Sequence, residues 1–229
     1  MKQFAIIGLG DFGFNVVEAL SKGEAQIIAV DSDPAKVARF KDMATHALQL
    51  DSTNEEALLE AGIPEVDAAV ICIGRNLQDN ILTTAILKRL GVSEIIVRAS
   101  SPLHEQILRE IGATRVVNPE KDLGIRIGRQ LLFSKLEDSV DLAQGYVLAD
   151  VKIPKQFVGK TLGEIQLRKK YRLNVIAIKK TKKLGRRAGD QSVIQEYNSL
   201  PEANDVLDSE CLLVVVGQKE DIDRIINLD

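Results

Sequence analysis

Short apolar runs alternate with amphipathic stretches through the first half of the chain. Six runs predict strands, at residues 4–7, 27–30, 46–50, 67–73, 94–99 and 114–117. The stretches between them place apolar residues at helical spacing, and several end at a glycine, as helices commonly do. Strands that alternate with helices predict a doubly wound parallel α/β sheet, in which ligands bind at the carboxyl ends of the strands.

The pattern changes after residue 119. The pattern of residues 121–138 predicts one long helix with an apolar face. Little of the predicted sheet remains for this face to pack against, so the helix is expected either to connect two domains or to bind a partner. Beyond residue 145, shorter strands are predicted at 146–153, 174–178 and 211–216, and helices at 162–171 and 220–226. We therefore predict two domains, residues 1–138 and 139–229, the second a small α+β domain.

The first predicted strand runs directly into Gly8-Leu9-Gly10-Asp11-Phe12-Gly13, which has the G-x-G-x-x-G spacing. In this motif the first glycine permits a tight turn, the second lets the backbone approach a pyrophosphate, and the third lets the helix pack on the strand. The positive end of the helix dipole then faces the phosphates. A turn kept only for packing is the alternative reading, but the complete order of strand, glycines, helix and strand favours a nucleotide site.

The second predicted strand ends at Asp31, at the distance beyond the glycines where an acidic residue binds ribose in dinucleotide sites. Its carboxylate would accept hydrogen bonds from ribose hydroxyls and repel a 2′-phosphate. The sequence therefore favours NAD or a plain adenine nucleotide over NADP.

Polar residues follow the other predicted strands as well. The residues at or just past a predicted carboxyl end are Asp31, Asp51, Ser52, Gly74, Arg75, Asn76, Arg98 and Glu120. Strand ends are often polar for solubility alone. Arg75 and Arg98 are more specific, because guanidinium groups beside a phosphate site bind anions well.

Composition narrows the functional classes. The chain of 229 residues is 45% hydrophobic, has a net charge of −3, and contains no apolar run near ~18 residues, so neither a spanning helix nor general nucleic-acid binding is predicted. Cys72 and Cys211 both lie in apolar runs and are interpreted as reduced core thiols of a cytosolic protein.

The densest charge is the basic segment, residues 179–187. A solvated hairpin loop is its simplest interpretation, and an anionic ligand, a lipid headgroup or an acidic partner is the alternative.

Residues for catalysis are scarce. A nicotinamide dehydrogenase needs an acid or base beside the ring, yet the histidines are His46 and His104 alone, and no tyrosine has a lysine four positions later. We therefore predict that the protein is not an enzyme, with an NAD-dependent oxidoreductase as the alternative.

Several stretches together resemble the RCK (KTN, TrkA-type) regulatory subunits of Trk and Ktr potassium transporters. They are the glycine loop, Asp51-Ser52-Thr53, residues 82–88, residues 111–113 and Asn118-Pro119-Glu120-Lys121-Asp122. The stretch from Gly159 to Tyr171, with residues 175–178 and 212–217, is similar to the RCK-C domain of that family. The resemblance covers nearly the whole chain and implies a Rossmann-like domain followed by RCK-C.

The resemblance implies a regulator that senses NAD(H) or adenine nucleotides (ATP, ADP or AMP). It implies a cytoplasmic homodimer that assembles into a ring, expected to be an octamer, beneath an integral-membrane potassium transporter subunit. The nucleotide contacts it implies are Gly8, Leu9, Gly10, Asp11, Phe12, Gly13, Asp31, Ser32, Asp33, Asp51, Ser52, Ile73, Gly74, Arg75, Arg98, His104 and Glu120. Glu120 is also the implied ligand of a magnesium, calcium or sodium ion beside the nucleotide.

One residue departs from the family pattern. Many ATP-responsive members have an arginine where this chain has Asp11, and a carboxylate there would repel a terminal phosphate. We expect weaker ATP sensing, unless Arg75 supplies the missing charge, and NAD(H), ADP or AMP as the effector. Cyclic di-AMP at the second domain is a further expectation, and a nucleotide sensor that controls another partner would carry the same motifs.

Overall fold

The chain forms two compact units, Met1–Lys121 and Asp122–Asp229, in a computed structural model that describes residues 1–133, 135–184 and 192–228. The first unit contains a six-stranded parallel sheet of order β3-β2-β1-β4-β5-β6. Its strands are β1 (Lys2–Ile7), β2 (Ala25–Asp31), β3 (His46–Gln49), β4 (Ala68–Ile71), β5 (Ile95–Arg98) and β6 (Arg115–Val117). All six predicted strands are present, and the predicted α/β fold is confirmed.

Helices follow the strands of this sheet. They are α1 (Asp11–Ser21), α2 (Pro34–Ala38), α3 (Glu55–Glu60), α4 (Leu77–Arg89), α5 (Pro102–Glu110) and α6 (Pro119–Leu132). A side chain just before each of α2 to α5 accepts a backbone N–H of the first turn and fixes where the helix begins; these residues are Asp33, Asn54, Asn76 and Ser101. One apolar cluster includes Ile7, Leu58 and Leu108, and another includes Ile6, Val17 and Phe40.

The second unit contains a five-stranded sheet of order β10-β9-β11-β8-β7, and its paired strands are antiparallel. The strands are β7 (Leu136–Asp141), β8 (Tyr146–Lys152), β9 (Asn174–Leu184), β10 (Ser192–Asn198) and β11 (Cys211–Gln218). The helices are α7 (Leu162–Ile165), α8 (Leu167–Tyr171) and α9 (Lys219–Ile226). Every second residue of β8 is buried, so Val147, Ala149 and Val151 belong to one core cluster with Leu213 and Ile222.

The predicted long helix over residues 121–138 is wrong beyond Leu132. Helix α6 ends at Leu132, and residues from Leu136 form the edge strand β7, which pairs with β8. Arg126 and Arg129 of α6 form ion pairs with Asp138 and Asp141, at 2.7 and 2.8 Å. These ion pairs join α6 to β7. The predicted domain boundary at residue 138 lies within β7, and a functional division at that residue stays a prediction.

Two further predictions in the second unit are corrected. The single helix predicted over residues 162–171 is two short helices, because Gln166 adopts a left-handed conformation with φ of 55° between them. The hairpin loop predicted for the basic segment is instead a strand in its first part, since residues up to Leu184 continue β9 and pair with β10. Gly185, Arg186 and Arg187 lie outside the described residues.

No helix in the described part of the chain combines the length and apolar character needed to cross a bilayer.

Candidate functional site: a cleft at the carboxyl edge of the parallel sheet

The glycine loop between β1 and α1 is shaped by close backbone contacts. Gly8 has a φ of +96°, and a Cβ there would lie 3.0 Å from the backbone nitrogen of Ile73. A Cβ at Gly13 would lie 2.1 Å from the carbonyl oxygen of Gly8, so only glycine lets α1 pack so close to the turn. Gly10 has no atom within 4 Å of its Cβ position and is exposed, so its backbone is open to a ligand.

Helix α1 begins at Asp11, and no side chain caps its amino end. The first N–H groups of an α-helix have no partner within the helix, and the helix dipole adds a partial positive charge there. The amino end of α1 lies beside the open backbone of Gly10, so this part of the cleft suits a phosphate group.

Asp31 joins the end of β2 to the glycine loop. Its Oδ2 accepts a hydrogen bond from the backbone N–H of Leu9 at 2.7 Å, and its Oδ1 accepts one from the N–H of Asp33 at 2.9 Å. The ammonium group of Lys36 lies 3.3 Å from Oδ2. These contacts fix the orientation of a carboxylate that is only 8% exposed and that stands where dinucleotide sites place the acceptor for ribose hydroxyls.

The segment after β3 contributes two polar side chains. Asp51 accepts hydrogen bonds from the N–H and the hydroxyl of Thr53, at 2.9 and 2.7 Å, and these bonds hold the pKa of Asp51 below its usual value. The hydroxyl of Ser52 is buried and bonds the hydroxyl of Thr83 on α4 at 2.8 Å. Asp51 therefore stays ionised at neutral pH, while Ser52 ties the end of β3 to α4.

Arg98, at the end of β5, has its guanidinium close to three other residues of the cleft. Its guanidinium stands 5.7 Å from the centre of the Phe12 ring and forms an ion pair with Glu120. A Cβ at Gly74 would lie 2.9 Å from its Nη1, so the glycine makes room for the guanidinium. A cation held in this way can contact an anionic ligand.

Asn80 of α4 ties β4 and β5 together beneath the cleft. The side chain is fully buried, and its amide nitrogen donates to the carbonyl oxygens of Ile73 and Arg98, at 2.6 and 3.1 Å. Its Oδ1 has no hydrogen-bond partner among the described residues. The two strand ends are thus held at a fixed separation where Ile73 and Arg98 enter the cleft.

Together these elements enclose a cleft of about 770 Å³, within the size range of nucleotide and cofactor sites. Most of the residues expected at a nucleotide line it: Gly8, Leu9, Gly10, Asp11, Phe12, Asp31, Ser32, Asp51, Ser52, Ile73, Gly74, Arg75, Arg98 and Glu120. Gly13 and Asp33 do not line it: Gly13 packs against Gly8, and the side chain of Asp33 accepts the N–H of Ala35 at 2.9 Å.

His104 is also absent from the cleft lining, and its nucleotide contact stays a prediction. The ring is 4% exposed, and its Nδ1 accepts a hydrogen bond from the backbone N–H of Ser100 at 3.3 Å. In the described part of the chain its Nε2 has no hydrogen-bond partner. Burial lowers the pKa of His104 from its ordinary value, so the ring is neutral at pH 7.

Sequence reasoning missed three polar residues of the lining, which are Lys36, Arg39 and Asp79. The available signal was position: Lys36 and Arg39 are three residues apart in the segment that follows β2, so they share one face of a helical turn. Asn76, predicted only as a strand-end residue, lines the cleft and also caps α4.

Glu120 is the residue implied as a ligand for a metal ion. Its carboxylate is paired with Arg98, and the described residues contain no group of three or more His, Cys, Asp or Glu side chains placed to hold a metal. The protein groups alone do not make a metal site here, so a cation would need oxygen atoms from a bound ligand as well.

A smaller concavity of about 360 Å³ lies in the second unit, beside α7, α8 and the start of β9. Its lining includes Gln166, Arg168, Lys169 and Asn174.

Comparison with known proteins identifies both units. Residues 4–119 match the model of the TrkA-N domain, and residues 147–228 match that of the TrkA-C domain. Ktr system potassium uptake protein C of Bacillus subtilis is 36% identical over 223 residues, which are 97% of this chain and 95% of the relative. Ktr system potassium uptake protein A of the same organism is 33% identical, over 99% of this chain and 96% of the relative.

Solved structures share the fold. The GsuK RCK domain superposes with a TM-score of 0.65 at 19% identity, covering 99% of this chain and 48% of that one. The GsuK channel bound to NAD gives the same TM-score and identity, covering 99% of this chain and 39% of that one.

Proposed function

The chain belongs to the TrkA-type RCK family of the Ktr and Trk potassium uptake systems, and from that membership we propose that it is a nucleotide-sensing regulatory subunit of a potassium transporter. The observation that carries the proposal is the cleft. It combines an open glycine backbone, an uncapped helix end and the carboxylate of Asp31 in a chain that matches Ktr proteins over nearly its full length.

The proposed mechanism is a shift between conformations. Two nucleotides that bind the cleft differently stabilise different conformations of the protein, and assembly transmits that difference to the membrane subunit. We propose that the chain acts as a cytoplasmic homodimer, that dimers form an octameric ring, and that the ring lies against the inner face of the membrane through the transporter. Mass measurement of the native assembly tests this stoichiometry, and a stable monomer contradicts it.

The most direct functional test blocks the cleft while leaving the fold intact. The Gly10→Val variant adds a side chain at a position where a Cβ meets no protein atom, so we expect it to obstruct a phosphate and to leave the fold intact. Potassium uptake is measured in cells that lack their own uptake systems and express this chain with its membrane subunit. We expect the variant to lose the response to nucleotide and the matched Gly23→Ala variant, which changes a glycine outside the cleft lining, to keep it.

Uptake that does not depend on this chain contradicts the transporter assignment. Uptake that depends on it, but equally in wild type and Gly10→Val, contradicts the role of the cleft instead.

The preferred effectors are NAD(H), ADP and AMP, with ATP bound more weakly. Asp11 is exposed at the start of α1, where a terminal phosphate would approach, and two unit charges at ~4 Å repel by about 1 kcal/mol even in water. We expect Asp11→Arg to raise the ATP/ADP affinity ratio by about fivefold or more. Asp42→Arg, which makes the same charge change at an exposed residue outside the cleft, should leave the ATP/ADP affinity ratio unchanged. An equal effect of both variants would contradict the role assigned to the charge of Asp11.

We propose that a cation binds this site only together with the nucleotide. Magnesium, calcium or sodium would bind the Glu120 carboxylate and ligand phosphate oxygens jointly, after the ligand phosphates take over Arg98. We expect Glu120→Gln to remove the cation dependence of ADP affinity; unchanged dependence contradicts this role.

The second unit is proposed to bind cyclic di-AMP. Arg168 and Lys169 at the smaller concavity supply positive charge for its phosphates. Equilibrium dialysis with the full chain tests this, and absence of retention contradicts it.

We propose regulation without catalysis. An oxidoreductase would consume NADH with a small substrate, so steady turnover of NADH by the purified protein would contradict the regulatory assignment.

A further inference from the structure

The end of the cleft around Asp31 contains two cations that the glycine motif does not require. We propose that Lys36 and Arg39 form a subsite for a phosphate on the ribose 2′ position, so that the cleft accepts 2′-phosphorylated adenine nucleotides such as NADPH as well as NADH. The inference rests on the proposed nucleotide function of the cleft and concerns which nucleotides it admits.

Lys36 changes the electrostatics of Asp31. A carboxylate at the end of the second strand disfavours a 2′-phosphate when it stands alone. Here the Lys36 ammonium lies 3.3 and 3.4 Å from the two oxygens of Asp31. An ammonium has three N–H donors, so at least one remains for a phosphate oxygen. The side chain of Lys36 is partly exposed and lines the cleft, so this donor can reach a ligand.

Arg39 supplies a second cation from the same segment. It follows α2, lines the cleft, and holds its guanidinium 5.5 Å from the centre of the Phe14 ring. Among the described residues, no ion pair is found for this guanidinium. Its planar set of N–H donors is suited to two phosphate oxygens at once.

Two carboxylates and two cations line this end of the cleft. The carboxylates are Asp31 and Asp51, and the cations are Lys36 and Arg39. Asp51 already accepts two hydrogen bonds from Thr53, and Asp31 accepts two backbone N–H groups. A 2′-phosphate therefore meets carboxylates that already accept hydrogen bonds and cations that keep free donors.

The test compares two ligands that differ only in the 2′-phosphate. Binding of 5′-AMP and of adenosine 2′,5′-bisphosphate to the purified full chain is measured by calorimetry. We expect the wild type to bind the bisphosphate at least as tightly as 5′-AMP. In Lys36→Met and Arg39→Met the bisphosphate should bind about tenfold more weakly, while 5′-AMP changes by less than about threefold.

Lys41→Met is the matched control, because Lys41 is exposed and does not line the cleft. Thermal unfolding without ligand shows whether each variant is folded. If Lys36→Met does not fold, the binding data for Arg39→Met alone test the subsite. Wild type that binds 5′-AMP but rejects the bisphosphate overturns the subsite and leaves the proposed function intact, as does an equal loss of both ligands in the folded variants. Wild type that binds neither ligand overturns the proposed function together with this inference.

Discussion

The two sheets of this protein bury their side chains in different ways. All four residues of β4 in the first unit are buried, whereas buried residues alternate with more exposed ones along β8 in the second. A parallel strand covered on both faces is apolar throughout, and an antiparallel strand needs an apolar residue only at every second position. In the parallel sheet the carboxyl ends of all strands also meet at one edge, so polar residues that are distant in sequence come together there.

This difference explains why the large cleft lies in the first unit. Its lining comes from the ends of β1 to β5, from the segments that follow them, and from Glu120 of α6. An antiparallel sheet sends successive strand ends to opposite edges, and the second unit has the smaller concavity, which is lined by α7, α8 and the start of β9. Substitutions that act on one unit and leave the other unchanged test this division.

The largest effect is expected from Gly13→Ala. The added Cβ would lie 2.1 Å from the carbonyl oxygen of Gly8, so α1 must move away from the turn, at a cost of about 3 kcal/mol or more. The chain has no tryptophan, and its tyrosines, Tyr146, Tyr171 and Tyr197, all lie in the second unit. In urea titrations we expect circular dichroism to show that the first unit unfolds at a lower urea concentration than in wild type. The unfolding midpoint reported by tyrosine fluorescence, which follows the second unit, should be unchanged.

Gly10→Val is the control within the same motif, because its Cβ meets no protein atom, and it should unfold close to wild type. Equal destabilisation by the two variants would contradict the packing role assigned to Gly13.

The next effect is expected at Asn80. Asn80→Ala leaves the carbonyl oxygens of Ile73 and Arg98 without their side-chain donor, which should lower the free energy of unfolding by about 2 kcal/mol. Nucleotide affinity should fall with it, because both residues line the cleft. Calorimetric titration and urea unfolding measure the two effects. Gln78→Ala, at an exposed position of the same helix, should change neither.

A smaller effect is expected in the second unit. The Thr161 hydroxyl accepts the backbone N–H of Glu164, and the Glu164 carboxylate accepts the backbone N–H of Thr161, which together form a capping box. Thr161→Ala should cost about 1 kcal/mol. Tyrosine fluorescence should show the shift in midpoint, and nucleotide affinity should not change. Weaker nucleotide binding in this variant would contradict the separation of the two units.

The smallest effect at neutral pH is expected from His104. Burial lowers its folded pKa below the unfolded value, so the unfolded state binds more protons as the pH falls through about 6.5. Stability is therefore nearly unaffected at pH ~7.5 and decreases toward pH ~5.5. In urea titrations across this range, His104→Gln should make the free energy of unfolding decrease less steeply with falling pH. His46→Gln, at an exposed position, should not have this effect. An unchanged slope in His104→Gln would contradict the contribution assigned to the buried His104 ring.

The parts of the site that depend on local sequence could be predicted. The spacing of Gly8, Gly10 and Gly13 reports a turn and a close approach of backbone atoms, and Asp31 follows at the distance set by one helix and one strand. Lys36 and Arg39 could not be placed in the cleft, because their reach into it depends on how α2 packs against the sheet. Their spacing of three residues indicates only that they share one face of a helical turn, and not which way that face points.

The second unit is harder to predict for a similar reason. The periodicity of residues 121–138 predicts one helix, yet β7 exists through its pairing with β8, a contact between segments that sequence periodicity does not reveal. The helix break at Gln166 has no glycine or proline to mark it. The polar second half of β9 resembles a loop in sequence, although the backbone of the strand pairs with both β11 and β10.

Hydrogen exchange of the full chain with and without ADP or NADH shows directly whether nucleotide binds at the glycine loop. We expect slower exchange at the amides of Leu9, Gly10 and Asp11 and at the ends of β2 and β4, and we expect this effect to be lost in Gly10→Val. Protection by nucleotide that spares the glycine loop, or that persists unchanged in Gly10→Val, would contradict the assignment of the cleft as the nucleotide site.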